Sequence, residues 1–141
     1  LAAGIPAHVV EKAQSAIASQ RASCRKAWQA GVRIAMGTDA GTPYNRHGEN
    51  AQELAAMVDV GMSPMEAIVA ATGKGAQLLG LDDRLGTIEP GKAADLLIVE
   101  GDPLADISIL RNPSRISHVF KAGALMARHG AIVSGIDRNP V

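Results

Sequence analysis

The sequence predicts an α/β protein, and three observations carry that reading. A helical period runs through residues 6–30, a glycine and a short branched run follow without slack at 31–37, and turn signals crowd together after residue 81. In the first stretch Val9, Val10, Ala13, Ile17, Cys24, Ala27 and Trp28 recur at helical spacing, with Glu11, Lys12, Gln20, Arg21 and Lys26 on other faces. Gly31 is placed to stop this helix in the left-handed conformation. Residues 32–37 then read as a strand bounded by glycine. Val32, Ile34 and Met36 face one way and Arg33, Ala35, Gly37 and Asp39 the other. That parity places Asp39 on an inner side just past the carboxyl end of the strand, where α/β proteins put their chemistry.

Residues 41–50 form a polar loop with Pro43, Tyr44, Arg46, His47 and Glu49. A helix is expected next, burying Ala51, Leu54, Ala55 and Val58 and ending at Gly61. A further helix begins at a marked start: Ser63 caps, Pro64 suits the first helical position and Glu66 completes a capping box. It is expected to continue to Leu79, with close backbone packing where Gly73 and Gly75 thin it. Beyond residue 81, turns at 85–86, 90–91, 101–103, 112–113, 122–123 and 129–130 separate apolar runs at 96–99, 116–120 and 131–133. This half reads as β-rich, with a short helical turn near 104–110.

Composition narrows the function. Apolar residues make up 47% of the 141-residue chain, enough for a folded core, but aromatics only 2% (Trp28, Tyr44 and Phe120). Fourteen basic and 14 acidic residues cancel, and no basic block exists, so nucleic-acid and membrane-surface roles are not expected. No apolar run is long enough to span a bilayer. The one cysteine, Cys24, can form neither an internal disulfide nor a thiolate zinc cage, and reads as a small buried hydrophobe. The chain starts at Leu1 and not at Met, so it does not report on targeting; the cytoplasm is the default expectation.

Gly37-Thr38-Asp39-Ala40-Gly41 is the strongest local signal for chemistry. A carboxylate there can bind a divalent metal or accept a proton from water, and the same pattern also serves as an ordinary turn or helix cap. His47 and Glu49 can contact substrate or orient a water, or form a solvated pair; Tyr44 can wall a pocket or pack on its own loop. Glu53 reads as a solvated or ion-paired helix residue and Arg33 as an ion-pair partner at the far end of the strand. His118 lies in a strand and His129 in a turn, without a ligand partner at suitable spacing.

Several of these pieces, in order, resemble a known family. They are Gly-Thr-Asp-Ala-Gly-Thr-Pro at 37–43, His-Gly-Glu-Asn at 47–50, Glu-Leu at 53–54, Gly-Met-Ser-Pro-Met-Glu-Ala-Ile at 61–68 and Ala-Ala-Thr at 70–72. Leu-Gly-Leu at 79–81, Leu-Gly-Thr-Ile-Glu-Pro-Gly-Lys-Ala-Ala-Asp-Leu at 85–96 and Gly-Asp-Pro-Leu at 101–104 continue the series. Together they resemble the carboxyl-terminal part of the amidohydrolase superfamily, in its imidazolonepropionase-like and prolidase-like branch. The resemblance implies a (β/α)8 barrel with a small β-sandwich, residues 1–81 supplying the last barrel units and 82–141 the β-rich part of the sandwich. It implies a hydrolase of C–N bonds, with Asp39 as metal ligand and general base, a divalent metal (zinc) as cofactor, and a small amide or dipeptide-like substrate near His47 and Tyr44. Asp95 resembles a position that supports a sandwich strand. The family's His-x-His pair, its lysine or acidic ligand and its later histidines have no counterpart here. The expectation is therefore a closing segment of a larger enzyme, inactive alone, that pairs with the missing barrel portion or with itself through open sheet edges. The rival reading is a non-enzymatic oligomerising module. A nucleotide-binding fold is disfavoured, since neither G-x-G-x-x-G nor a phosphate-loop lysine follows the strand.

Overall fold

The structure is a computed structural model that describes residues 6–42 and 45–133, apart from the side chain of Val9. The chain divides into two compact units, Leu1–Ile34 and Ala35–Val141. The first contains α1, Ala7–Gln29, which opens after Pro6. Its end follows the chemistry of its last residues. Gly31, at φ +79°, lets its own N–H reach the Trp28 carbonyl (2.9 Å) and the Val32 N–H reach that of Ala27 (3.0 Å), so two terminal carbonyls are satisfied. The helix matches its sequence reading, but its apolar stripe is not deeply covered. Cys24, Ala27 and Trp28 are half-buried, Ala13 is exposed, and Ile17 is 49% exposed. Cys24 is thus a half-exposed free thiol and not the buried hydrophobe expected.

Residues 32–39 do not form a strand. A strand exists through its ladder partners, and none lies alongside within the described residues. The segment is tied instead to a helix end, the Met36 N–H donating to the Ala70 carbonyl at 3.0 Å. Asp39 has φ +50°, outside extended backbone, so the side-to-side alternation read from the sequence does not carry through to it.

In the second unit α2, Gln52–Asp59, and α3, Pro64–Ala71, pack on each other, and α3 on α4, Gly73–Leu79. The core is built from Leu54, Met57, Val60, Met62, Ala67, Ala70 and Ala76, joined by Ile107 from a 3-10 turn at Ile107–Arg111 that touches α2. The capping box at the start of α3 is complete: the Glu66 N–H donates to the Ser63 hydroxyl, and the Ser63 N–H donates to the Glu66 carboxylate at 2.7 Å. The single helix expected from 64 to 79 is two. Thr72 (φ −119°, ψ −89°) breaks it, its hydroxyl bonded back to the Ile68 carbonyl at 2.8 Å. Gly86 explains what occupies the break. A Cβ there would lie 2.6 Å from Ala76 Cβ, 3.0 Å from the Thr72 oxygen and 3.1 Å from Gly73 Cα, so two backbones meet where only glycine fits.

The strands form one antiparallel meander, and all of them lie in the half that reads as β-rich. β1 is Leu96–Val99, β2 Ile116–Lys121, β3 Ala124–Arg128 and β4 Ala131–Ile132, paired in chain order. The hairpin β2–β3 turns at Ala122-Gly123 (φ +48° and +82°) and β3–β4 at His129-Gly130 (φ +47° and +79°), two-residue loops whose twist suits the strands. Asp95 fastens the first of these. Its carboxylate accepts from the Lys121 ammonium and from the Ala122 N–H, both at 2.7 Å. The Lys121 hydrogen bond, then that of Ala122, holds the Asp95 carboxyl below its ordinary value. In the sequence β3 is marked only by the turns on either side, because Ala-Leu-Met-Ala-Arg lacks β-branched and aromatic residues.

Candidate functional site

Asp39 sits where the chain leaves its tie to α3 and turns through the loop ahead of α2. Its side chain is exposed and its backbone left-handed, a conformation that Asp tolerates better than most residues with a Cβ. Hydrogen bonds gather around it. The Thr42 hydroxyl donates to the Asp39 carbonyl (3.2 Å), the Asn45 side-chain amide donates to the Thr38 carbonyl, and the Gly41 N–H donates to the Asn45 carbonyl (2.8 Å). The Asn45 N–H completes the set by donating to Thr42 at 3.1 Å.

His47 is exposed, yet it is drawn to the same loop: a Cβ added at Gly41 (φ +100°) would lie 2.8 Å from its Nε2. The structure thus brings the imidazole against the backbone two residues from Asp39. Tyr44, the other expected substrate contact, lies outside the described residues. Glu49 is exposed, and its carboxylate accepts from the Gln52 side-chain amide at 3.0 Å, which makes it a local partner of α2. Glu53 is half-buried on α2.

Asn45 and Thr42 are the residues that the sequence reading missed. The available signal was the habit of Asn and Thr side chains of bonding nearby backbone, which made a Thr and an Asn three apart candidates for a fastened loop.

Away from this loop, His118 and His129 come together in space although they are far apart in sequence. Their ring centroids are 6.3 Å apart, and His129 Nδ1 lies 3.7 Å from a Glu100 carboxylate oxygen. The buried Ser117 hydroxyl uses its proton on the Ile98 carbonyl (3.2 Å), so it accepts from His118 Nδ1 at 3.1 Å. His118 also stacks with Phe120. The arrangement ties the end of β1 to the β3–β4 turn.

Neither place is a metal centre by itself. Among the described residues no group of three or more His, Cys, Asp or Glu side chains is placed to hold an ion. One carboxylate supplies one ligand where zinc sites use three or four from the protein. Nor is any helix among the described residues long and apolar enough to cross a membrane.

Residues 2–126 match the model of the amidohydrolase family. The ochratoxinase of Aspergillus niger is 37% identical over 132 residues, which cover 92% of this chain and 27% of that protein. Among solved structures, a putative prolidase from Bifidobacterium longum superposes with a TM-score of 0.82 at 34% identity, over 91% of this chain and 31% of that one. A Xaa-Pro dipeptidase with methionine bound in its active site gives a TM-score of 0.69 at 47% identity, over 74% of this chain and 25% of that one. The chain therefore spans about a quarter of the length of the curated relatives it matches. The small antiparallel sheet following a set of helices is common ground with these folds. The chain belongs to the amidohydrolase family, on its prolidase-like and imidazolonepropionase-like side.

Proposed function

We propose that this chain is the carboxyl-terminal part of a metal-dependent amidohydrolase that cleaves the C–N bond of a small amide, cyclic amide or dipeptide-like molecule. The single observation that supports this most is the identity of 34–47% with prolidase-type structures over most of the chain. In this reading residues 1–81 complete a (β/α)8 barrel and 82–141 belong to a composite β-sandwich. Asp39 is the catalytic carboxylate and a metal ligand, and His47 and Tyr44 face the substrate.

The chemistry open to Asp39 is proton acceptance from an attacking water and delivery to the leaving nitrogen, for which an exposed carboxylate at a loop exit is suited. A divalent metal, taken to be zinc, would lower the pKa of that water when bound. The described residues alone do not fit such an ion, since its further ligands are not among them. The proposal accordingly has the chain inactive alone. The test is zinc content after dialysis, together with turnover of N-acyl amino acids and dipeptides. Substoichiometric zinc and no turnover are expected; tight stoichiometric zinc with turnover would overturn the proposal.

A second reading, a non-enzymatic oligomerising module, is favoured by one specific feature. Edge strand β1 exposes Leu97 (56%) and Ile98 (50%), which invites strand pairing with another chain. Light scattering after size exclusion tests it, and a monomer at high concentration would remove it.

A further inference from the structure

We infer that Asn45 is a positioning residue for Asp39, clasping the backbone on both sides of it so that the carboxylate leaves in one direction. The inference rests on the proposed role of Asp39 and deepens it. Asn45 is half-buried in a loop whose other described residues from 46 to 50 are exposed. It makes three bonds with the stretch around Asp39: its side-chain amide to the Thr38 carbonyl, its N–H to the Thr42 carbonyl and its carbonyl from the Gly41 N–H. Thr38 precedes Asp39, and Gly41 and Thr42 follow it. The Met36 N–H is already held by Ala70, so the backbone is fixed at 36 and 38 and again at 41 and 42.

Between those points Asp39 takes φ +50°, which a residue with a Cβ does not choose unaided and which the clasp supplies. Thr42 adds a hydroxyl bond to the Asp39 carbonyl. All these bonds engage backbone atoms of the stretch they hold, so the carboxylate stays outside the clasp. An Asn side chain is required at 45 because the Thr38 carbonyl needs a donor. An ionised Asp has the same shape and no proton to give.

Nuclear magnetic resonance on the 141-residue chain, with Asn45→Asp and Asn45→Ala, tests the inference. The Asp39 Cα and Hα shifts and the three-bond HN–Hα coupling report the sign of φ, and hydrogen exchange reports the Gly41 amide. Both variants are expected to lose the positive-φ signature and to exchange the Gly41 amide about tenfold faster or more. The amides of α3 and of the β2–β3 hairpin should keep their shifts. An Asp39 signature and Gly41 protection unchanged in both variants would overturn the inference. So would loss of the hairpin signals, which would make Asn45 a residue of global stability. These readouts concern the loop and not turnover, so hydrolysis that survives substitution of Asp39 would sink the proposed function and leave the clasp standing.

Discussion

Replacing Gly86 with alanine brings two costs that can be separated. The first is conformational: Gly86 sits at φ +90°, where a Cβ costs about 1–2 kcal/mol, offset by about 0.5–1 kcal/mol from the stiffer unfolded chain. The second is steric. The new methyl would stand 2.6 Å from Ala76 Cβ and 3.1 Å from Gly73 Cα, atoms that cannot rotate away as the tip of a long side chain would. Forcing a methyl into such a site costs about 1–3 kcal/mol. The expected net loss is about 2–4 kcal/mol in urea unfolding followed by circular dichroism. Gly91→Ala provides the control, because Gly91 has φ +92° and nothing within 4 Å of the added atom. It should lose only the conformational part, about 1 kcal/mol. Equal losses in the two variants would refute the close approach of backbones at the α3–α4 break.

Two other expectations concern the hairpin. Asp95→Asn should cost about 0.5–1 kcal/mol at pH 7, a figure reduced because the Lys121 side chain is 60% exposed and that of Asp95 33%. The Asp95 carboxyl is held below its ordinary value of 3.8 in the fold, so its contribution is full above that value and fades as pH falls through the folded value. Unfolding titrations of the two proteins should therefore converge in acid and draw closer in 1 M salt; a deficit independent of pH would contradict the ion-paired cap. Ala122→Asn should stabilise by about 0.5–1 kcal/mol, because Ala122 holds φ +48° and Asn accepts that conformation more readily, and a fall in melting temperature would contradict the turn assignment.

Much of the local structure was readable in sequence because its causes are local. A helical period ending at Gly31, the Ser63–Glu66 box and the two-residue turns at 122–123 and 129–130 each carry their own chemistry. What was misread depends on partners distant in sequence. The helix over 64–79 breaks at Thr72; the close backbone packing expected at Gly73 is present, but its partner, Gly86, lies outside the helix and no periodicity names it. Residues 32–37 have strand composition, but a strand needs neighbours to pair with, and Met36 bonds to a helix end instead. Asp39 stands out by its residue type and setting, whereas the role proposed for Asn45 rests on three bonds to the backbone that no spacing announces. The approach of His118 to His129 follows from strand register, which spacing alone does not reveal.

The most direct measurement of the central claim is hydrolysis of N-acyl amino acids and dipeptides by the chain expressed with its upstream reading frame, wild type against Asp39→Asn. The account predicts turnover in the wild type and a loss of about 10²–10⁴-fold in the variant, with its fold unchanged by circular dichroism. A variant that keeps its rate within a factor of a few, beside an active wild type, would contradict it.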